Sequence, residues 1–426
     1  MTDAIEELQW RGLIALSTDL DALRAELAAG PVTYYVGFDP TAPSLHIGHL
    51  VQVLAARRLQ LAGHRPLALV GGATGLIGDP NPDSERKINA LDTVAEWVER
   101  LRRQIEPFLD FTGSNAATMV NNLDWTARLS ALEFLRDIGR HFRVNRMIAK
   151  DAVSARLNSD IGINYTEFSY QILQALDYLE LFRRYNCRLQ FGGSDQWGNL
   201  TAGTDLIRRV TGESVHLIAT PLITDEDGKK FGKSTGGGSL WLDPSMTSPY
   251  ALYQYLLNVP DAMTGHLLRV FTFRDREEVA ALEKETAERP FARAAQRALA
   301  GDVTSLVHGP AELAAVEAAS AALFGRGDLT ALPESTLEAA LHEAGLVTAP
   351  ADAPVAELFR LAGLVAGRGE ARRVVAEGGA YLNNERVTQA DEPVPADRLL
   401  HGRYLVLRRG KKTVAGVVVT GVAQSI

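Results

Sequence analysis

Two histidines spaced three residues apart stand near the start of the chain, in His46-Ile47-Gly48-His49. The segment follows a run of β-forming residues and a proline-containing turn, and Ser44 lies where the capping hydroxyl of a helix is expected. A helix N-terminus presents unpaired N–H groups and partial positive charge, both of which attract phosphate. The two imidazoles share one helix face, and Gly48 leaves room for a ligand. The pattern indicates hydrogen-bond donors for phosphate oxygens whose charge grows during displacement, although histidines that only cap or pack would share it.

Two glycine-rich segments, each at the end of a predicted strand, carry further polar groups. Residues 71–80 contain four glycines, more than a tight turn requires, together with Asp79, which can hold an ammonium group or a ribose hydroxyl. Residues 192–196 place two glycines before Asp195 and Gln196. A carboxylate suits the two hydroxyls of a ribose, and an amide serves polar substrate atoms. We therefore expect backbone and side chains of both segments to approach a ligand.

A lysine loop and one helix supply the remaining candidates. Residues 229–238 combine glycines with Lys230 and Lys233, a pattern typical of a mobile lid over polyphosphate or, alternatively, of a solvated linker. Tyr170, Gln174 and Asp177 lie at positions i, i+4 and i+7 of a predicted helix, so they project from one side of it. Because their neighbours are apolar, these three groups either face water or line a pocket.

The elements that must position these residues predict an α/β fold. A strand at 32–38, a helix at 45–62 and a strand at 66–70 form a βαβ unit, which indicates a parallel sheet with a ligand crevice at the carboxyl ends of its strands. Residues 1–30 have a helical apolar stripe and are expected to cover an edge of the sheet. We predict a Rossmann-like catalytic domain at 1–240 with an inserted connective region at about 110–165, an all-α domain at 241–330, a linker at 331–353 and a small α+β domain at 354–426.

Composition and charge restrict the class of protein. The 426 residues, 46% hydrophobic and 23% charged, suit a multidomain globular protein. The single cysteine, Cys187, excludes an intrachain disulfide and a cysteine-cluster zinc site. The chain has no apolar run long enough to span a membrane and no basic signal-peptide start, so we expect a cytoplasmic protein.

The net charge of −8 is unevenly distributed. From Ala353 onward there are eleven Lys or Arg residues and seven Asp or Glu residues, a net charge of +4, which leaves 33 basic against 45 acidic residues, or −12, in the rest. A basic tail on an acidic body is a candidate RNA-facing module.

Four blocks of the sequence resemble one family. His46-Ile47-Gly48-His49 together with Lys230-Phe231-Gly232-Lys233-Ser234 resembles the paired signature of class I aminoacyl-tRNA synthetases. Tyr35-Val36-Gly37-Phe38-Asp39-Pro40-Thr41 and Gly192-Gly193-Ser194-Asp195-Gln196-Trp197-Gly198-Asn199 resemble the bacterial type of tyrosyl-tRNA synthetase. The order and spacing of the blocks agree, and the likeness extends from about residue 30 to the C-terminus. It implies activation of tyrosine with ATP and its transfer to tRNA(Tyr).

The resemblance also implies roles for individual residues. Tyrosine would be contacted by Tyr35, Asp79, Asn122, Tyr170, Gln174, Asp177 and Gln196. Within that set, Tyr35 and Asp177 would meet the phenolic hydroxyl. The catalytic groups at the departing pyrophosphate and its nucleotide would be Thr41, His46, His49, Lys230, Lys233 and Ser234. ATP binding would involve Asp39, Gly48, His49, Gly193, Asp195 and Lys233.

Partners follow from the same likeness. The tail from Pro354 resembles a small RNA-binding module first described in a ribosomal protein, and the all-α domain would face the anticodon side of the tRNA. Phosphate contacts in the tail would come from Arg372, Arg373, Arg408, Arg409, Lys411 and Lys412. The family implies a homodimer paired through the middle region, no membrane, and Mg²⁺ that accompanies ATP rather than a structural metal in the protein.

Two features depart from the family pattern, and three other functions remain as alternatives. Asn81-Pro82-Asp83 stands where many relatives carry lysines, so Arg86 and the later lysine loop would bear more of the polyphosphate charge. Phe231-Gly232 replaces Met-Ser in the lysine loop. A tryptophan-activating synthetase shares the fold, but Tyr35 with Asp177 favours a phenol. A small-molecule nucleotidylyltransferase can share the histidine signature, but it would not explain the helical domain and the basic tail. A catalytically dead RNA-binding paralogue is disfavoured because every motif retains its reactive groups.

Overall fold

The computed structural model of the chain describes residues 3–80, 84–86, 88–224, 228, 230–232, 238–411 and 413–421. It divides into two compact units, Met1–Asp243 with Gly265–Ala281, and Pro244–Thr264 with Leu282–Ile426. None of the helices in the described part of the chain combines the length and apolar character needed to cross a membrane.

A six-stranded sheet forms the centre of the first unit. Its strands are β1 Leu16–Ser17, β2 Thr33–Phe38, β3 Arg65–Val70, β4 Thr118–Asn121, β5 Cys187–Gly193 and β6 His216–Thr220. The spatial order is β1-β6-β5-β2-β3-β4, and every neighbouring pair is parallel except β1 with β6. The sheet therefore confirms the predicted α/β class, with β1 added as an antiparallel edge strand.

Helices connect and cover these strands. They are α1 Ala4–Trp10, α2 Leu20–Ala29, α3 Ile47–Leu61, α4 Leu91–Ile105, α5 Leu123–Thr126, α6 Ala131–Glu133, α7 Val144–Ile148, α8 Asp151–Leu157, α9 Tyr165–Tyr185 and α10 Trp197–Thr211. The chain passes from β2 through α3 to β3 on one side of β2, and later returns to β5 on its other side. The strand order therefore reverses between β2 and β5, and a crevice opens at the carboxyl ends of these two neighbouring strands.

Two local predictions at the N-terminal end were wrong. Residues 1–30 are not continuously helical, because Gly12 adopts φ +71° and ends α1, and the chain then forms β1 before Asp19 caps α2. The N-cap of α3 is His46 rather than Ser44. The Ser44 hydroxyl is instead buried and bonded to the carbonyl oxygen of Leu45.

The second unit contains helices and a five-stranded sheet. Its helices include α11 Pro249–Leu257, α14 Ala294–His308, α15 Pro310–Leu323, α16 Glu334–Gly345, α17 Val355–Leu361 and α18 Arg368–Ala376, while α12 Asp261–Phe271 and α13 Arg276–Glu288 begin or end in the first unit. The strands are β7 Leu346–Pro350, β8 Ala380–Leu382, β9 Glu385–Arg386, β10 Tyr404–Arg409 and β11 Thr413–Thr420, in the order β7-β11-β10-β8-β9.

The segment expected to be a linker, residues 331–353, differs from that expectation because it holds α16 and β7. Strand β7 pairs in parallel with β11, and Leu337 and Leu341 of α16 are fully buried. A Cβ on Gly416 of β11 would lie 2.7 Å from the Cβ of Leu341, so glycine is what lets the helix close onto the strand. The low-complexity composition near residue 350 hid this pairing, and the remaining domain boundaries stay a prediction.

Candidate active site

A cavity of about 460 Å³ opens at the carboxyl ends of β2, β3 and β5 in the first unit. Its lining includes most of the residues singled out from the sequence, namely Tyr35, Asp39, Thr41, His46, Gly48, His49, Asp79, Tyr170, Gln174, Asp177, Gly193, Asp195, Gln196 and Lys230. Lys233 and Ser234 lie outside the described residues. The sheet thus brings together side chains that are up to about 200 positions apart in the chain.

The two histidines form a reciprocal cap at the start of α3. The backbone N–H of Gly48 donates to Nδ1 of His46 at 3.1 Å, and the backbone N–H of His46 donates to Nδ1 of His49 at 3.2 Å. Their rings stack with centroids 3.8 Å apart. A Cβ on Gly48 would lie 2.9 Å from Cε1 of His46, so glycine keeps this ring in place.

Burial and the capping hydrogen bonds together determine the protonation state of both imidazole rings. Burial lowers the pKa of His46, with the charge of Lys230 acting in the same direction, and burial followed by the neighbouring His46 holds the pKa of His49 well below its usual value. Each ring is therefore neutral near pH 7. Because each Nδ1 accepts a hydrogen bond, the proton of each neutral ring is on Nε2. The pair offers N–H donors without carrying charge.

Asp177 marks one end of the cavity. Its two carboxylate oxygens accept hydrogen bonds from Nδ2 of Asn122 at 2.9 Å and from Nε1 of Trp125 at 2.8 Å. Burial, the largest cause, raises the pKa of Asp177 to about 8. The hydroxyl of Tyr35 is buried without a hydrogen-bond partner in the described part of the chain. A buried carboxyl group and an unsatisfied hydroxyl at one end of a cavity suit a ligand with its own hydroxyl group.

Asn122, which the family resemblance predicts as a tyrosine contact, is not among the cavity-lining residues. It is fully buried, donates to Asp177 and to Oγ1 of Thr74, and accepts the backbone N–H of Ala73 at 2.7 Å. It therefore supports the carboxylate of Asp177 from behind.

Asp79 occupies a second polar region of the cavity. Its carboxylate accepts hydrogen bonds from Nε2 of Gln196 at 2.9 Å and from Nδ2 of Asn199 at 3.0 Å, and Asn199 also donates to Oε1 of Gln196 at 2.8 Å. The three side chains form a closed ring of hydrogen bonds. Burial raises the pKa of Asp79, while the two amide donors lower it. An acceptor held in this way suits an ammonium group.

Asp39 lies between these regions and is tied to protein groups. Oδ1 accepts the hydroxyl of Thr74 at 2.6 Å, and Oδ2 accepts the hydroxyl of Tyr170 at 2.5 Å. Burial raises the pKa of Asp39 to about 6 despite these two donors. A Cβ on Gly71 would lie 2.1 Å from Oδ1, so the first glycine of the loop is needed for the carboxylate to fit. Both Asp39 and Tyr170 line the cavity, and Asp39 orients Tyr170.

The outer part of the cavity carries cationic and polar groups. Nζ of Lys230 lies 3.2 Å from Oδ2 of Asp195, and both side chains are substantially exposed. Arg86 also lines the cavity, and its Nε donates to the carbonyl oxygen of Asp79 at 2.7 Å. Stacked neutral histidines, a lysine and an arginine near one ribose-compatible carboxylate can bind a polyphosphate nucleotide and stabilise its leaving group.

The arginines predicted to contact RNA already have partners within the second unit. Arg372 pairs with Asp391 at 2.8 Å, and Arg409 pairs with Glu370 at 2.9 Å. Arg373 lies 4.0 Å from Glu377, and Arg408 is largely buried with its guanidinium 4.2 Å from the ring centroid of Tyr381. Lys411 is exposed and Lys412 lies outside the described residues. Exposed ion pairs contribute little stability, so RNA phosphates can displace the carboxylates from the paired arginines. Arg408 differs from them because its side chain also has a structural packing role.

Trp125 and Asn199 also belong to this site, although the sequence patterns assign no role to either residue. In the sequence, Trp125 is one apolar residue in a short helix. Its indole N–H reaches Asp177 only in the folded protein, because the two residues are far apart in the chain. Asn199 closes a conspicuous motif, but its two hydrogen bonds to Asp79 and Gln196 depend on the first turn of α10.

Two family models match the chain. The model described as tRNA synthetases class I (W and Y) matches residues 27–325, and the one described as Tyrosine--tRNA ligase SYY-like C-terminal domain matches residues 338–416. A solved structure of a C-terminally truncated mitochondrial tyrosyl-tRNA synthetase from Aspergillus nidulans has a TM-score of 0.68 and 29% identity, and covers 74% of this chain and 92% of that one.

Full-length relatives agree with these matches. The chain is 64% identical to a Tyrosine--tRNA ligase of Streptomyces avermitilis over 99% of this chain and 100% of the relative, and 64% identical to that of Streptomyces coelicolor with the same coverage. The class I fold, the order of the sequence blocks and near-complete coverage of both proteins coincide. The chain therefore belongs to the tyrosine–tRNA ligase family of class I tRNA synthetases.

Proposed function

We propose that the chain activates L-tyrosine with ATP to give tyrosyl-adenylate and pyrophosphate, and then transfers tyrosine to the 3′-terminal ribose of tRNA(Tyr). The observation that carries this proposal is the pairing of two polar regions in one cavity: Asp177 beside the unpartnered Tyr35 hydroxyl, and the Asp79 carboxylate in its ring of amides. A zwitterionic amino acid with a phenol side chain satisfies both at once.

Tyrosine recognition rests on hydrogen bonds that other amino acids cannot complete. The phenol donates to Asp177 and accepts from Tyr35, while its α-ammonium group lies against Asp79, Tyr170 and Gln174. The amide oxygen of Gln174 is buried without a partner in the described part of the chain, which supports this assignment. Phenylalanine would leave the buried Tyr35 hydroxyl unsatisfied, at a cost of about 1–3 kcal/mol, and would add no third donor at Asp177.

Activation needs orientation and charge stabilisation rather than a covalent intermediate. An oxygen of the tyrosine carboxylate attacks the α-phosphorus of ATP, a new P–O bond forms, and the bond to pyrophosphate breaks. The Nε2–H groups of His46 and His49, with Thr41 and Lys230, stabilise charge that develops during this step. Lys230 and Asp195 are paired with each other in this structure. They would separate when ATP binds, because the lysine would bind the phosphates and the carboxylate would bind the ribose.

The remaining assignments belong to the same proposal. Mg²⁺ enters with ATP, held chiefly by phosphate and water, and Lys233 and Ser234 act from the lysine loop. In the second step a ribose hydroxyl of the tRNA attacks the tyrosyl carbonyl carbon and AMP leaves. The helical segment at 241–330 and the basic tail bind the tRNA. The location that we propose is the cytoplasm, where these substrates meet.

A homodimer is also part of the proposal, paired through the middle region of the first unit. Large apolar side chains are exposed along that region, with Leu132 at 78%, Val144 at 58%, Ile161 at 61% and Tyr165 at 67% exposure. Such a concentration of exposed apolar side chains is typical of a surface that another chain covers. The occupant we propose is a second copy of this chain.

Replacing both His46 and His49 with alanine should lower the rate of tyrosine-dependent ATP–pyrophosphate exchange by orders of magnitude, because each lost donor costs about 10²–10³-fold. The dissociation constant of tyrosine without ATP should change by no more than about threefold, since neither ring touches Asp177 or Asp79. His342→Ala, at an exposed position of α16, is the matched control. Loss of tyrosine binding with an unchanged exchange rate per bound tyrosine would contradict these roles.

The Asp177→Asn variant should differ from the wild type in its pH dependence of stability. The folded-state pKa of Asp177, about 8, lies above its ordinary value of 3.8, so between about pH 4 and pH 8 the folded protein holds a proton that the unfolded chain lacks. Wild-type stability therefore falls relative to the variant as pH rises through this window, by at most about 1.4 kcal/mol per pH unit. Chemical denaturation at pH 5 and pH 8 measures the difference in free energy of unfolding between the wild type and the variant. A difference that does not change with pH would refute the raised pKa of Asp177.

The proposed dimer predicts that Tyr165→Asp converts the protein to monomers in sedimentation equilibrium, because a buried unpaired carboxylate is costly at an apolar interface. Leu61→Asp introduces the same charge at a residue that is 61% exposed outside the middle region, and should leave the mass unchanged. A wild-type protein that stays monomeric at micromolar concentration, or equal behaviour of the two variants, would exclude this interface.

A further inference from the structure

A fully buried ion pair lies outside the cavity, between α8 and α9. Nη2 of Arg156 lies 2.9 Å from Oε2 of Glu167, and each side chain is 1% exposed. Neither residue lines the cavity. A buried pair of this kind is weak evidence for stability, because the cost of desolvating two charges offsets most of their attraction. The role of the pair therefore has to be sought in the hydrogen bonds that its two side chains make to other groups.

The pair holds a short segment of backbone from two sides. Nη1 of Arg156 donates to the carbonyl oxygen of Ser84 at 2.6 Å, and Oε1 of Glu167 accepts the backbone N–H of Arg86 at 2.9 Å. Between them, Oε1 of Glu85 accepts Nδ2 of Asn164 at 2.7 Å. Residues 84–86 are thus attached to α8 and to the beginning of α9 by both backbone and side chain.

The anchored segment delivers Arg86 to the cavity. The Arg86 side chain packs against Gly78, where a Cβ would lie 3.1 Å from its Cγ, and its Nε donates to the carbonyl oxygen of Asp79 at 2.7 Å. Residues 81–83 of the sequence, Asn-Pro-Asp, contain no cation. In the described part of the segment that follows the glycine loop, residues 84–86, Arg86 supplies the cationic side chain of the cavity lining.

The carboxylate of Asp79, which we propose to bind the ammonium group of tyrosine, is held by other side chains. Gln196 and Asn199 donate hydrogen bonds to the Asp79 carboxylate. Arg86 instead donates to the Asp79 backbone carbonyl, and its charge is among the groups that oppose the burial-raised pKa of the Asp79 carboxyl group. A shift of residues 84–86 would therefore displace the Arg86 guanidinium while leaving the two amide hydrogen bonds of Asp79 in place.

We propose that Arg156 and Glu167 are positioning residues that fix the backbone of residues 84–86 and so aim Arg86 at the phosphates of ATP. This inference rests on the proposed function. Through Arg86 the pair acts on the nucleotide half of the reaction and not on amino-acid binding. A displacement of about 1 Å in such a group is enough to reduce a rate by about 100-fold.

Arg156→Lys is the first test, because lysine retains the positive charge beside Glu167 but cannot also reach the carbonyl of Ser84. The double variant Arg156→Met with Glu167→Met is the second, because it removes both charges and leaves no buried ion unpaired. Arg100→Lys, in the exposed Arg100–Glu96 pair of α4, is the matched control. For each protein, kcat/KM for ATP in tyrosine-dependent pyrophosphate exchange is measured per tyrosine-binding site, together with the dissociation constant of tyrosine.

We expect kcat/KM for ATP to fall about 10- to 100-fold in both test variants, with tyrosine affinity within about threefold of wild type and the control unchanged. In an Arg86→Gln background, Arg156→Lys should have less than about a twofold further effect, since both changes remove the same contact to phosphate. A role in stability alone would lower the number of tyrosine-binding sites but not exchange per site.

The outcomes separate this inference from the proposed function. Wild-type protein without tyrosine-dependent exchange would overturn both. Exchange per site that stays normal in Arg156→Lys, or a parallel loss of tyrosine affinity, or full additivity with Arg86→Gln would overturn the positioning role alone. If the double variant does not fold, Arg156→Lys and the Arg86→Gln background decide the question.

Discussion

The constraint on which the site depends is the placement of enclosed carboxylates in a cavity at the carboxyl ends of parallel strands. Asp177 is 2% exposed, and Asp39 and Asp79 are partly enclosed, so their ionised forms need hydrogen-bond donors. Each has two: an amide and an indole for Asp177, two hydroxyls for Asp39, and two amides for Asp79. The raised pKa of each carboxyl group shows that these donors compensate only part of the cost of burial.

That residual cost is what a ligand can relieve. A phenolic hydroxyl adds a third donor at Asp177, and an ammonium group adds a positive charge at Asp79, so binding energy is concentrated at the two ends of one amino acid. The phosphate side of the cavity is built differently. His46 and His49 are neutral and fixed by mutual capping, which presents N–H donors that need no reorganisation when charge develops on the leaving group.

Local patterns were sufficient to predict the βαβ unit, the parallel sheet and several of the polar residues that line the cavity, because strand ends, glycine loops and the spacing of Tyr170, Gln174 and Asp177 are encoded in adjacent residues. Features that depend on distant partners were not predictable in this way. Strand β7 was concealed because its pairing with β11 joins residues about 70 positions apart. The hydrogen bond of Trp125 to Asp177 and the ion pairs of Arg372 and Arg409 arise only when the chain is folded. The family resemblance supplied roles, such as that of Tyr35 at the phenolic hydroxyl, which local chemistry alone leaves undetermined.

Amino-acid selection by the first step tests the central claim most directly. Wild-type protein should be assayed for ATP–pyrophosphate exchange with tyrosine, phenylalanine or tryptophan as the single amino acid. Exchange should depend on tyrosine and be lower by orders of magnitude with the other two, because neither can both donate to Asp177 and accept from Tyr35. Exchange driven by tryptophan alone, or equal rates with phenylalanine and tyrosine, would contradict the assignment of this cavity to a phenol.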